Sequence, residues 1–127
     1  SDHDMGVIRL GTHIGNTTGW LGLGAYSDLD GTTVNIAGYP GDRDGGNFLY
    51  YMSGAIDDQT TNRYYYRIDT AGGQSGSGVY RLVNNNRYVV AAHSGWNYVW
   101  WMLGDYNRGT RVTSSKFTDI VNFVNGG

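Results

Sequence analysis

The chain has 127 residues, of which 16% are charged, with a formal net charge of −2 and no cysteine. That length supports one domain with a real core, and the charge leaves no basic face for nucleic acid and no acidic tail. Missing cysteine removes disulfides, thiol catalysis and cysteine-ligated metal together, and no apolar run approaches the ~18 residues of a membrane span. With no recognisable signal peptide, the chain reads as mature or cytosolic.

In chain order, Met5 to Leu10 reads as a short apolar strand. Trp20–Leu23, Thr32–Tyr39, Phe48–Gly54 and Arg63–Ile68 follow as strands, separated by turn signals at Asp28–Gly31, Pro40–Asp42 and Asp44–Asn47. After a glycine- and serine-rich loop come Val79–Leu82, the turn Asn84–Asn86, Tyr88–Ala92, Val99–Met102 and Thr110–Val112. Twenty-one glycines and eleven tyrosines against one proline fit many short strands with tight turns, an all-β barrel or sandwich. A helix ends the chain. Ser114 or Ser115 can cap it, Phe117, Ile120, Val121 and Val124 form one stripe, and Gly126–Gly127 stops it. The first strand has no sequence neighbour, so it either closes this barrel or pairs with something outside the chain.

The stretch with most chemical content is Gly72-Gly73-Gln74-Ser75-Gly76-Ser77-Gly78, directly after the strand ending at Ile68. Glycines let a loop present a hydroxyl while neighbouring amides converge on one point, which is what attack on an acyl carbon requires. Taken alone, an ordinary Gly/Ser surface turn explains the heptapeptide equally well.

The run Asp69 to Tyr80 resembles the nucleophile loop of trypsin-like serine proteases, above all the cysteine-poor bacterial glutamyl endopeptidases with their Gly-Gly-Asn-Ser-Gly-Ser-Pro. Ile36 to Asp42 is similar to that family's Gly-Tyr-Pro-Gly-Asp turn, Val89 to Gly95 to its Val-Ile-Gly-Ile-His segment, and Asn107 to Val112 to its ending. These motifs fall in register over nearly the whole chain. The resemblance implies the chymotrypsin-like fold. Residues 13–113 would form its second six-stranded antiparallel Greek-key β-barrel, carrying the nucleophile loop. Residues 114–127 would be the C-terminal α-helix, and residues 1–12 the last strand of the first barrel with the triad aspartate.

On that resemblance Ser75 is the nucleophile, and the amides of Gly73 and Ser75 form the oxyanion hole. Asp4-Met5-Gly6-Val7-Ile8 matches the family's Asp-Tyr-Gly-Ala-Ile, making Asp4 the orienting carboxylate, with Asp2 the runner-up one residue outside the register. His93 and Thr70 would line the primary pocket and receive a Glu or Asp side chain of a peptide substrate, while Ser94-Gly95-Trp96 pairs with its backbone. Trp96 stands where the family has a small residue, and Gly78 where it has proline. The family's base precedes its aspartate well upstream, and neither His3 nor His13 meets that pattern. The resemblance therefore calls for a secreted protein in which a second chain or segment carries the N-terminal barrel and catalytic histidine; without one, the chain is inactive alone.

Other readings stand beside this one. His93 could end a buried strand with its ring bonded to backbone. The chain could be a non-catalytic β-barrel module binding carbohydrate or protein through Tyr64–Tyr66, Trp96, Tyr98, Trp100 and Trp101, or an enzyme half that dimerises to rebuild a site. No cofactor is called for; a structural calcium is the alternative to ordinary Asp-Gly turns. Asp28–Gly31 and Asp42–Gly45 resemble pieces of a calcium loop, but no bidentate glutamate follows them. The chain contains no glutamate at all, which suits a protease that would otherwise cut itself after that residue.

Overall fold

The computed structural model describes residues 2–68 and 74–126. Its strands are β1 (Gly22–Leu23), β2 (Thr33–Gly38), β3 (Tyr50–Gln59), β4 (Arg63–Tyr66), β5 (Gly78–Val83), β6 (Asn86–Val99) and β7 (Gly104–Arg111), with helices α1 (Gly15–Thr18) and α2 (Ser114–Val124). Strand β2 pairs with both β3 and β5, β4 with β3 and β7, and β6 with β5 and β7. Six antiparallel strands thus close on themselves, and closure removes the exposed edges that an open sheet would carry. The two-residue β1 adds in parallel to β6.

Alternation along each strand fills the barrel. Val34, Ile36, Ile56, Tyr64, Tyr66, Val79, Val90 and Ala91 form one buried cluster with Leu29 and Ile68, and burying each large side chain stabilises the fold by about 1.5–3 kcal/mol. Tyr65, on the opposite face of β4 from its neighbours, packs with Val99 and Tyr106 in a smaller cluster. The β5–β6 hairpin turns on Asn84 and Asn85, at φ of 51° and 66°. Two consecutive left-handed residues are what a type I′ turn demands, and asparagine tolerates that region best after glycine.

Residues 5–10 form no strand ladder with any described residue, and Ile8 and Leu10 are 85% and 60% exposed, so this apolar run does not close the barrel; an extended segment becomes a strand only when a neighbour takes its backbone hydrogen bonds. The structure corrects the sequence reading in three places. Val99–Met102 is no strand of its own: β6 runs through to Val99, and the next residues make the tight turn into β7, with Leu103 at φ 53°. Helix α2 is capped by Thr113, whose hydroxyl accepts from the Lys116 amide at 3.2 Å. Its expected stripe is only partly covered, since Phe117 and Ile120 are half-buried whereas Val121 and Val124 are exposed.

Candidate active site

Ser75 sits at the corner of a tight turn built from Gln74 to Ser77. The Ser77 amide donates to the Gln74 carbonyl at 2.9 Å, and Gly76, third of the four residues, has φ 88°, the left-handed value a type II turn requires there. Gln74 is fully buried and anchors the turn, whereas Ser75 is exposed. Two backbone bonds then staple the turn to β6: Gly76 N–H donates to the His93 carbonyl at 2.7 Å, and His93 N–H to the Ser77 carbonyl at 2.9 Å. Strand β2 approaches from the other side at Gly38. A Cβ there would collide with Ser77 Oγ, so the glycine of the Gly-Tyr-Pro-Gly-Asp turn is what lets the serine loop pack down.

Asp4 and Ser75 line one cleft of about 340 Å³, together with His93 and Ser94. The runner-up Asp2 is engaged elsewhere, its carboxylate 3.1 Å from Arg63 Nε. Of the other predicted residues, Thr70 and Gly73 lie outside the described residues. Ser94 and Gly95 occupy a β-bulge where β6 slips register against β7, with Gly95 at φ 120°. Bulges of this kind re-aim side chains beside sites. Trp96, just beyond it, is 65% exposed. Among the described residues His93 is the sole imidazole lining the cleft; His3 borders a separate hollow beside Lys116 and Asp119. No set of three or more potential metal ligands clusters among the described residues.

His93 is 4% exposed, and its Nδ1 lies 2.7 Å from the hydroxyl of buried Tyr66. Its bond partner is thus a side chain rather than the backbone considered from sequence. Burial drives the Tyr66 pKa upward, so the phenol keeps its proton and can donate to Nδ1, which puts the imidazole hydrogen on Nε2. Burial, reinforced by the Arg108 guanidinium, pushes the His93 pKa down to about 4 from 6.5. The unfolded chain therefore binds the extra proton between those values. Stability is full above pH 6.5 and falls by up to about 3 kcal/mol as pH drops through 4. An NMR titration of the His93 ring should show a midpoint near pH 4; a midpoint near the unperturbed value contradicts this account. Tyr66 had no local sequence signal, standing 27 residues from His93 in a run of three tyrosines.

No protein-family model matches the chain. The chain is 38% identical over 131 residues to the glutamyl endopeptidase of Bacillus licheniformis, aligning 98% of itself with 40% of that protein. It is 31% identical to an extracellular metalloprotease of Bacillus subtilis, over 98% of the chain and 39% of that protein. A rat protein named inactive serine protease 35 shares 29% identity over 79% of the chain and 26% of its own length. The chain thus spans about 40% of the two bacterial relatives. Among solved structures, a Glu endopeptidase superposes with TM-score 0.74 and 32% identity, over 92% of this chain and 52% of that one. A thermostable serine protease, at TM-score 0.67 and 16% identity, shares the fold. A closed six-stranded barrel, a terminal helix and a relationship running the length of the chain converge: this is a homologue of glutamyl endopeptidase with the fold of the chymotrypsin-like serine proteases.

Proposed function

We propose that this chain is the nucleophile-bearing part of a secreted serine endopeptidase that cleaves after acidic residues. The observation that carries the reading is the shared cleft: an exposed serine at a tight turn and a carboxylate, Asp4, lining the same space. Ser75 Oγ attacks the scissile carbonyl while its proton passes to a histidine from outside these 127 residues, oriented by Asp4. The amides of Gly73 and Ser75 hold the oxyanion. Collapse returns the proton to the leaving amine, and water then hydrolyses the acyl-enzyme by the same path. Residues 1–12 would complete the barrel that carries this base, and exposed Ile8 and Leu10 are the surface left for it.

Specificity rests on His93. A substrate carboxylate can accept from Nε2–H, the Thr70 hydroxyl being the second donor that the family resemblance implies, and the arriving negative charge raises the low imidazole pKa. The chain's lack of glutamate fits an enzyme protected from its own activity. The test is kcat/KM on paired peptides with Glu or Gln before the scissile bond, using the native protein with its base-bearing segment. Glu is expected to win by about 10–100-fold, the worth of one charge-assisted hydrogen bond. Equal rates overturn the acidic preference, and no cleavage of either overturns the endopeptidase. One second reading has specific support, a non-catalytic binding module. Relatives include proteins named inactive serine protease 35, and Trp96, Tyr98 and Trp100 stand 65%, 58% and 72% exposed along the end of β6 and its turn.

A further inference from the structure

Asp4 belongs to a segment that makes no strand pairing with any described residue, yet a triad carboxylate must be held to within a fraction of an ångström. Side chains from the end of the molecule supply that hold. At residue 2, the Lys116 ammonium donates to the Asp2 carbonyl, to Asn62 Oδ1 and to the Arg111 carbonyl, each at 3.4 Å. It thereby joins the N-terminal segment to α2, to the turn before β4 and to the end of β7, using all three of its donors. Arg63, the first residue of β4, adds the 3.1 Å pair with the Asp2 carboxylate.

At the far end Arg9 Nη1 donates to the Phe123 carbonyl at 3.2 Å, and its guanidinium lies over the Phe123 ring at 5.7 Å. A cation on the last-turn carbonyls of a helix is favoured by the helix dipole. Between the two pins Met5 and Val7 border a hollow with Asp119 and Ile120 of α2. Helix α2 is thus the rail along which residues 2–9 lie, and Asp4 projects from that rail into the serine cleft.

We infer that Lys116 is a positioning residue for the reaction: it fixes the main chain two residues before Asp4 and so sets the carboxylate's place relative to Ser75. This rests on the assignment of Asp4 as the orienting carboxylate. In the native protein with its base-bearing segment, Lys116→Met is expected to lower kcat about 10–100-fold with KM nearly unchanged, the scale of a displaced catalytic group. Lys116→Arg, which keeps donors and charge, restores most of it. Arg9→Met, which releases the other pin and leaves Lys116 intact, lowers kcat in the same sense.

A double-mutant cycle separates positioning from mere stability. In an Asp4→Asn background, Lys116→Met should cost no more than about twofold further, because the carboxylate it positions is already gone. Full additivity of the two losses overturns the inference, as does a Lys116→Met protein that stays folded with unchanged kcat. If Asp4→Asn alone leaves kcat intact, the Asp4 assignment fails instead, an outcome distinct from failure of the anchor.

Discussion

If Ser75 is the nucleophile proposed above, replacing it by alanine in the native protein is expected to lower kcat by about 10⁵–10⁶-fold, the loss typical when a nucleophile that acts as one unit with its base is removed. KM is expected to move little, since the substitution leaves His93 and the cleft it lines in place. The melting temperature also stays put, for a reason visible in the turn itself. The Gln74–Ser77 turn is held by backbone bonds of Gln74, Gly76 and Ser77, and the exposed Ser75 hydroxyl takes no part in them. Retention of activity to within tenfold would show that another group attacks the peptide carbonyl.

Asp4→Asn is expected to lower kcat by about 10⁴-fold, because the amide keeps the size of the carboxylate but neither holds the imidazole tautomer nor stabilises its charged form. Asp2→Asn is the matched control. Its carboxylate faces Arg63 at 3.1 Å rather than the cleft, so the loss should stay below about tenfold. A larger effect at Asp2 than at Asp4 would exchange the two roles. Steady-state kinetics on a single peptide substrate, with unfolding curves for both variants, decides between them.

Much of this was legible in the sequence because the relevant signals are local. The glycines around Ser75 announce a turn, and the β-branched and tyrosine-rich runs around Val34–Ile36 and Tyr64–Tyr66 announce strands. The same local logic misread Val99 to Met102. An apolar extended run looks like a strand whether or not a partner exists. An aromatic-rich run keeps its β character even where Trp101 is folded into a turn, its ring 5.8 Å from Tyr65 and its Nε1 donating to Asp58 at 2.6 Å. Long-range pairs left no trace at all. His93 and Tyr66 meet only because closure of the barrel brings β4 and β6 to opposite sides of β7, and Lys116 reaches Asp2 across 114 positions.

Covalent trapping tests most directly the proposal that the Ser75 hydroxyl is an activated nucleophile. Treating the native protein with a fluorophosphonate, then measuring intact mass and mapping the modified peptide, should give one phosphonyl group per chain, on Ser75, with none on the Ser75→Ala protein. Unmodified Ser75 in a preparation that is actively cleaving peptide would contradict it.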